Sequence, residues 1–186
     1  VEHKQDVTVP RGRTVVVAFG VFVAFMVVGF PAWQAINGLP EDVTVMDLRL
    51  SYTPQELYAA LSALGEAGRA AYVRNILILD VAWPLVYGAF LTLLPRYAFA
   101  EQPPLRRRLL ASFAVVGVLL DYGENMSVLA LVLRFPDRID PLARVASGFT
   151  TAKWVFVTAA MLVAVAAVVW LVRRSLTARA ARRTAG

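Results

Sequence analysis

Between Leu109 and Leu133 an apolar run long enough to cross a bilayer is broken by Asp121-Tyr122-Gly123-Glu124-Asn125, two carboxylates and a carboxamide within five residues. On a helix Asp121 lies three residues from Glu124 and four from Asn125, so all three project from one stripe. That stripe cannot face lipid. Carrying an ionised side chain to the bilayer centre costs about 3 kcal/mol even on insertion scales, so such acids turn toward other helices or a wet cavity, where they mark a functional site. The run therefore demands partner helices and predicts an all-α, integral membrane bundle with an acidic interior.

Composition agrees. Hydrophobic residues make up 59% of the 186, and the mean hydropathy is +0.61. Cysteine is absent, which excludes disulfides and thiolate metal sites, and the single histidine, His3, excludes multi-histidine metal centres. No nucleophile–base pairing, phosphate-binding glycine loop or metal-ligand spacing occurs, so neither a metal nor another cofactor is expected. The net charge of +6 comes from basic residues flanking the apolar runs. Membrane topology and anionic lipid account for that distribution better than nucleic acid, which is not expected as a partner.

Four spans are expected, at about 15–36, 70–95, 108–133 and 145–173, giving a transmembrane domain over 15–174 between a polar tail, 1–14, and a basic tail, 175–186, whose end is expected to be disordered. The first span reads as an uncleaved helix, with Trp33 at headgroup depth; Trp154 and Trp170 read as further belt residues. Val43, Val45, Leu48 and Leu50 suggest short extended pieces after it. Thr53-Pro54-Gln55-Glu56 is a helix start with a capping box, opening a short amphipathic helix over 54–64 that Gly65 and Gly68 interrupt. It is expected at the bundle's mouth or in the interface.

In the second span Asp80, Trp83, Pro84 and Tyr87 share one helix face. Pro84 has no N–H for the carbonyl of Asp80, leaving a backbone acceptor that another helix, water or a ligand must satisfy. Lys153, at the start of the fourth span, either faces the site or anchors the interface by snorkelling. Gly20, Gly29, Gly88, Gly117 and Gly123 are expected as close-packing points. Twelve basic residues fall on the side of the termini and six on the other, so both termini are expected in the cytoplasm of a bacterial-type inner membrane. Glu41, Asp42, Asp47, Glu56, Glu66, Asp137 and Asp140 make the opposite mouth acidic.

Counting at about 1.5 Å per residue through a core of about 30 Å places Asp121 roughly 18 Å and Asp80 roughly 20–23 Å from the cytoplasmic edge, with Lys153 further out. The three helices thus bring polar groups to the outer half of the bilayer. Three acids against one lysine leave excess negative charge, to be met by a bound proton, a cation, Arg74 or water. The expected function is binding of a small amphipathic or cationic ligand in an outward-opening pocket. Asp80, Asp121 and Glu124 would meet its polar part, Asn125 and Tyr87 orient it, Trp83 pack its apolar body and Lys153 complete the charge set. Two rivals stand beside it. One is a lipid or isoprenoid isomerase or hydratase using Asp121, Glu124 or Asp80 as acid and base. The other is an accessory subunit whose partners are membrane lipids and another membrane protein, the polar groups being helix glue.

Carboxylates inside a four-helix membrane bundle are similar in architecture to the emopamil-binding family of sterol isomerases and related receptors. The likeness ends there, because no motif of that family lies on this chain and no histidine falls within a span.

Overall fold

The computed structural model describes residues 9–37, 46 and 49–184. It is an integral membrane four-helix bundle: four helices are long and apolar enough to cross a bilayer, and the described residues contain no strand. The suggested extended pieces at Val43, Val45 and Leu48 lie outside the described residues, as do Glu41, Asp42 and Asp47; Leu50 sits in a bend.

The first span comprises α1 (Gly12–Ala24), a π-helical turn (Phe25–Gly29) and α2 (Phe30–Asn37). Pro31 explains the wide turn, since it cannot donate to the carbonyl of Val27 and its ring crowds that turn. The extra residue sets the helix phase back by about 100°. Phe30 thereby comes onto the same side as Phe22 and Phe25, and all three rings touch Trp83.

After the short helix α3 (Pro54–Ala63) come α4 (Gly65–Ala98), α5 (Pro104–Arg134) and α6 (Asp140–Thr184). The capping box of α3 forms as the sequence requires, with Thr53 Oγ1 accepting from the Glu56 N–H at 3.2 Å and Glu56 Oε2 accepting from the Thr53 N–H at 2.7 Å. That backbone hydrogen bond, then the one to the Thr53 hydroxyl, hold the Glu56 carboxyl below the ordinary carboxylate range. Gly65, at φ +62°, supplies the left-handed residue that turns the chain from α3 into α4. Gly68 does not interrupt anything; it lies inside α4 with Leu64 packed against it.

Helix α5 is central, packed on α4 and on α6, while α1 lies mainly on α4. Of the glycines, Gly88 meets Val118, Gly117 meets Val157 and Gly123 meets the ring of Phe149, all close approaches between helices. Gly20 and Gly29 depart from expectation: nothing lies near the first, and the second faces only Phe25 of its own helix.

Two apolar clusters fill the interior. One joins Tyr52, Leu57 and Leu61 to Ile76, Leu131 and Ala146 at the α3 end; the other joins Val15, Leu91, Leu94, Ala114, Ala160 and Ala164 toward the end where α4 and α6 finish. Helix α3 therefore plugs its end of the bundle, burying Pro54, Leu57, Tyr58 and Leu61. The C-terminal segment expected to be disordered is helical to Thr184. Its Ala and Arg residues favour helix, and extending an existing helix avoids the nucleation cost.

Candidate functional site

Between the two clusters lies a polar layer contributed by every long helix. Pro84 starts it. The Asp80 carbonyl, deprived of its donor, accepts from Asn125 Nδ2 at 3.1 Å, and the next carbonyl, Val81, accepts from the Tyr122 hydroxyl at 2.8 Å. Tyr122 and Asn125 are one turn apart on α5, so the irregular turn of α4 is held by two side chains of its neighbour. Asn125 also donates to Asp121 Oδ1 at 3.3 Å, and the Tyr87 hydroxyl donates to Asp121 Oδ2 at 2.9 Å.

Lys153 supplies the charge that binds α6 to α5. Its Nζ lies 2.6 Å from Glu124 Oε2 and 3.6 Å from Asp121 Oδ1, and it is only 5% exposed, so it faces the site and does not snorkel. Glu124, wholly buried, also accepts from the Thr150 hydroxyl at 2.7 Å. A buried ion pair repays its desolvation only with good geometry and with its remaining polar atoms bonded, and here the other Glu124 oxygen, Oε1, is bonded to Thr150. Asp80 lies on the α4 side of the layer, where its Oδ2 accepts from Asn75 Nδ2 at 3.0 Å, and Asn75 Oδ1 accepts from the Trp33 indole N–H at 2.9 Å.

The layer thus runs from Trp33 on the first span through Asn75, Asp80, Asn125, Asp121 and Lys153 to Glu124 and Thr150. Three of its members, Trp33, Asn75 and Thr150, lie outside the site residues that the sequence pattern singles out. Trp33, expected at headgroup depth, is a hydrogen-bond donor to the network. Asn75 carried a usable signal, since it stands five residues before Asp80 in an otherwise apolar stretch. Trp154, expected in the interfacial belt, lines the site, with Lys153 Nζ 5.7 Å from its ring centroid. Arg74 does not balance the acids; it is exposed and donates to the Asn37 carbonyl at 3.0 Å.

A cavity of about 480 Å³ adjoins the layer. At its polar end stand Asp80, Tyr87, Asp121 and Lys153; Glu124 and Asn125 are behind this wall, bonded to residues that form it. The rest is apolar, with Trp83, Leu91 and Leu94 from α4 facing Val157, Ala164 and Val168 from α6. Phe22 and Met26 cover it from the first span. The pocket was expected to open outward, toward α3. It extends the other way, because the residues of α3 and their partners fill that end. Among the described residues no group of three or more His, Cys, Asp or Glu is placed to hold a metal ion.

Compared with known protein families, curated proteins and solved structures, the chain matches none of them.

Proposed function

We propose that this chain is a multi-pass protein of a bacterial-type inner membrane, both termini cytoplasmic, that binds a small amphipathic or cationic molecule in the cavity beside Asp121. The carrying observation is the shape and charge of that cavity: a long apolar space ending on Asp80, Tyr87, Asp121 and Lys153. Pockets of about 300–1,000 Å³ with mostly apolar walls and a few convergent polar groups are what small-molecule sites look like. Three carboxylates against one ammonium favour a ligand that brings positive charge or hydrogen-bond donors. The excess of basic residues on the side of the termini supports the orientation.

In this reading Asp80 and Asp121 receive the ligand's head, Tyr87 and Asn125 fix the Asp121 carboxylate, and Trp83 packs the ligand's body. Glu124 acts at one remove, holding Lys153 in place. Purified protein should gain thermal stability from members of a panel of organic cations and amphiphiles, and Asp121→Asn should abolish the gain. A panel without effect on the wild-type chain, or an equal effect on the variant, contradicts the reading.

A further inference from the structure

The cavity is a slot, and its direction carries information. Its lining runs from Asp80 to Leu94 on α4 and from Lys153 to Val168 on α6. Both stretches head away from α3, and at about 1.5 Å per residue each covers roughly 21–23 Å. A hydrocarbon core of about 30 Å holds two lipid tails end to end, so a single tail takes roughly 15 Å and the slot accommodates one tail with its head at the carboxylates. One side of the slot is not closed by packing. Met26 on the first span and Met161, Val165 and Val168 on α6 line it and are all among the exposed apolar side chains, so the gap between these helices faces the level of the acyl chains. The polar end is built from Asp80, Asp121 and Lys153, each more than nine-tenths buried.

Resting on the binding reading above, we infer that the occupant is a single-chain lipid with a cationic head, a long-chain amine in its simplest form, which enters sideways between the first span and α6. Its head sits at Asp80 and Asp121 and its tail runs along α4 and α6 toward Leu94 and Val168. That is the orientation of a lipid from the leaflet nearest α3, with its head drawn roughly 7–12 Å below that leaflet's edge. Because the tail exchanges one hydrocarbon environment for another, chain length is selected by fit: a short tail leaves empty space and a long one meets the end of the slot. Anionic heads meet the carboxylates.

The test uses the full chain in nanodiscs of phosphatidylcholine, with binding measured for octylamine, dodecylamine, hexadecylamine and icosylamine, and for hexadecanoate as the anionic control. Hexadecylamine should bind tightest, with octylamine and hexadecanoate each weaker by about tenfold or more. Val168→Trp, at a position already half exposed and so able to take a larger ring, should move the optimum to a shorter amine while leaving octylamine unchanged. Amine binding that ignores chain length, or an optimum that Val168→Trp does not move, overturns the slot and leaves the ligand-binding reading standing. Hexadecanoate binding as well as hexadecylamine overturns the cationic head. If neither these amines nor the wider panel binds, both readings fall.

Discussion

Replacing Lys153 by Met strips the polar layer of its one cation while keeping the side chain's volume. Glu124, wholly buried, and Asp121 would then share the layer with Asp80 and no ammonium, and breaking a buried pair in this way costs about 3–5 kcal/mol. The reverse change, Glu124→Gln, is milder for a reason visible in the distances. Coulomb attraction falls inversely with separation, so the 3.6 Å contact to Asp121 retains roughly seven-tenths of the attraction of the 2.6 Å contact to Glu124. The amide oxygen can still accept from Thr150. The loss then approaches that of one charge-assisted hydrogen bond, about 1.5–3 kcal/mol. In the double variant the more deeply buried of the two orphaned carboxylates is gone, so it should be more stable than Lys153→Met alone by about 1–2 kcal/mol. Reversible unfolding in mixed micelles, followed by tryptophan fluorescence, measures all four proteins. Glu124→Gln costing as much as Lys153→Met, or a double variant no better than Lys153→Met, would show that Lys153 is not shared between the two carboxylates.

Three further outcomes follow from individual contacts. Asn125→Leu removes the donor to the Asp80 carbonyl and should cost about 1–3 kcal/mol; adding Pro84→Ala restores a backbone N–H there and should recover part of it in the same unfolding assay. Gly88→Val forces two methyl groups against Val118 and should destabilise by about 1–3 kcal/mol, seen as a lower unfolding midpoint. Thr53→Ala should lower hydrogen-exchange protection of α3 by about 1 kcal/mol. The carboxyl of Glu56 is held low in the folded chain, so its contribution is present at neutral pH and is lost as pH falls through its lowered folded value; Glu56→Gln should remove that acid-side loss of α3 protection.

The span pattern was legible because membrane helices must satisfy their backbone internally and so write themselves as long apolar runs. Asp80, Asp121, Glu124 and Asn125 were legible for the same reason, since a polar residue in such a run has to face inward. Lys153 was ambiguous because lysine near a helix end has two good solutions, and only the position of Glu124 on the neighbouring helix decides between them. The role of Trp33 depends on how α2 leans on α4, a tertiary relation that follows the π-helical turn and has no local signature beyond Pro31. The spacing of 54–64 does not show that α3 folds inward and fills the bundle's end, so the sequence points the cavity toward α3 while the structure extends it away. The helical continuation past Arg174 reflects propensity, which the charge cluster there obscured.

Inside the bundle Lys153 meets carboxylates from α5, and this contact ties α6 to the polar layer. The chain has two lysines, Lys4 and Lys153, so lysine-selective labelling is almost site-specific. Solid-state NMR of the protein in bilayers, with 15Nζ-lysine and side-chain-carboxyl 13C-glutamate and aspartate, measures the contact directly. Strong nitrogen–carbon dipolar dephasing that disappears in Lys153→Met is the expected result, with the larger share lost in Glu124→Gln. A lysine signal with no such dephasing, and with the exchange behaviour of a water-exposed ammonium, would contradict the account.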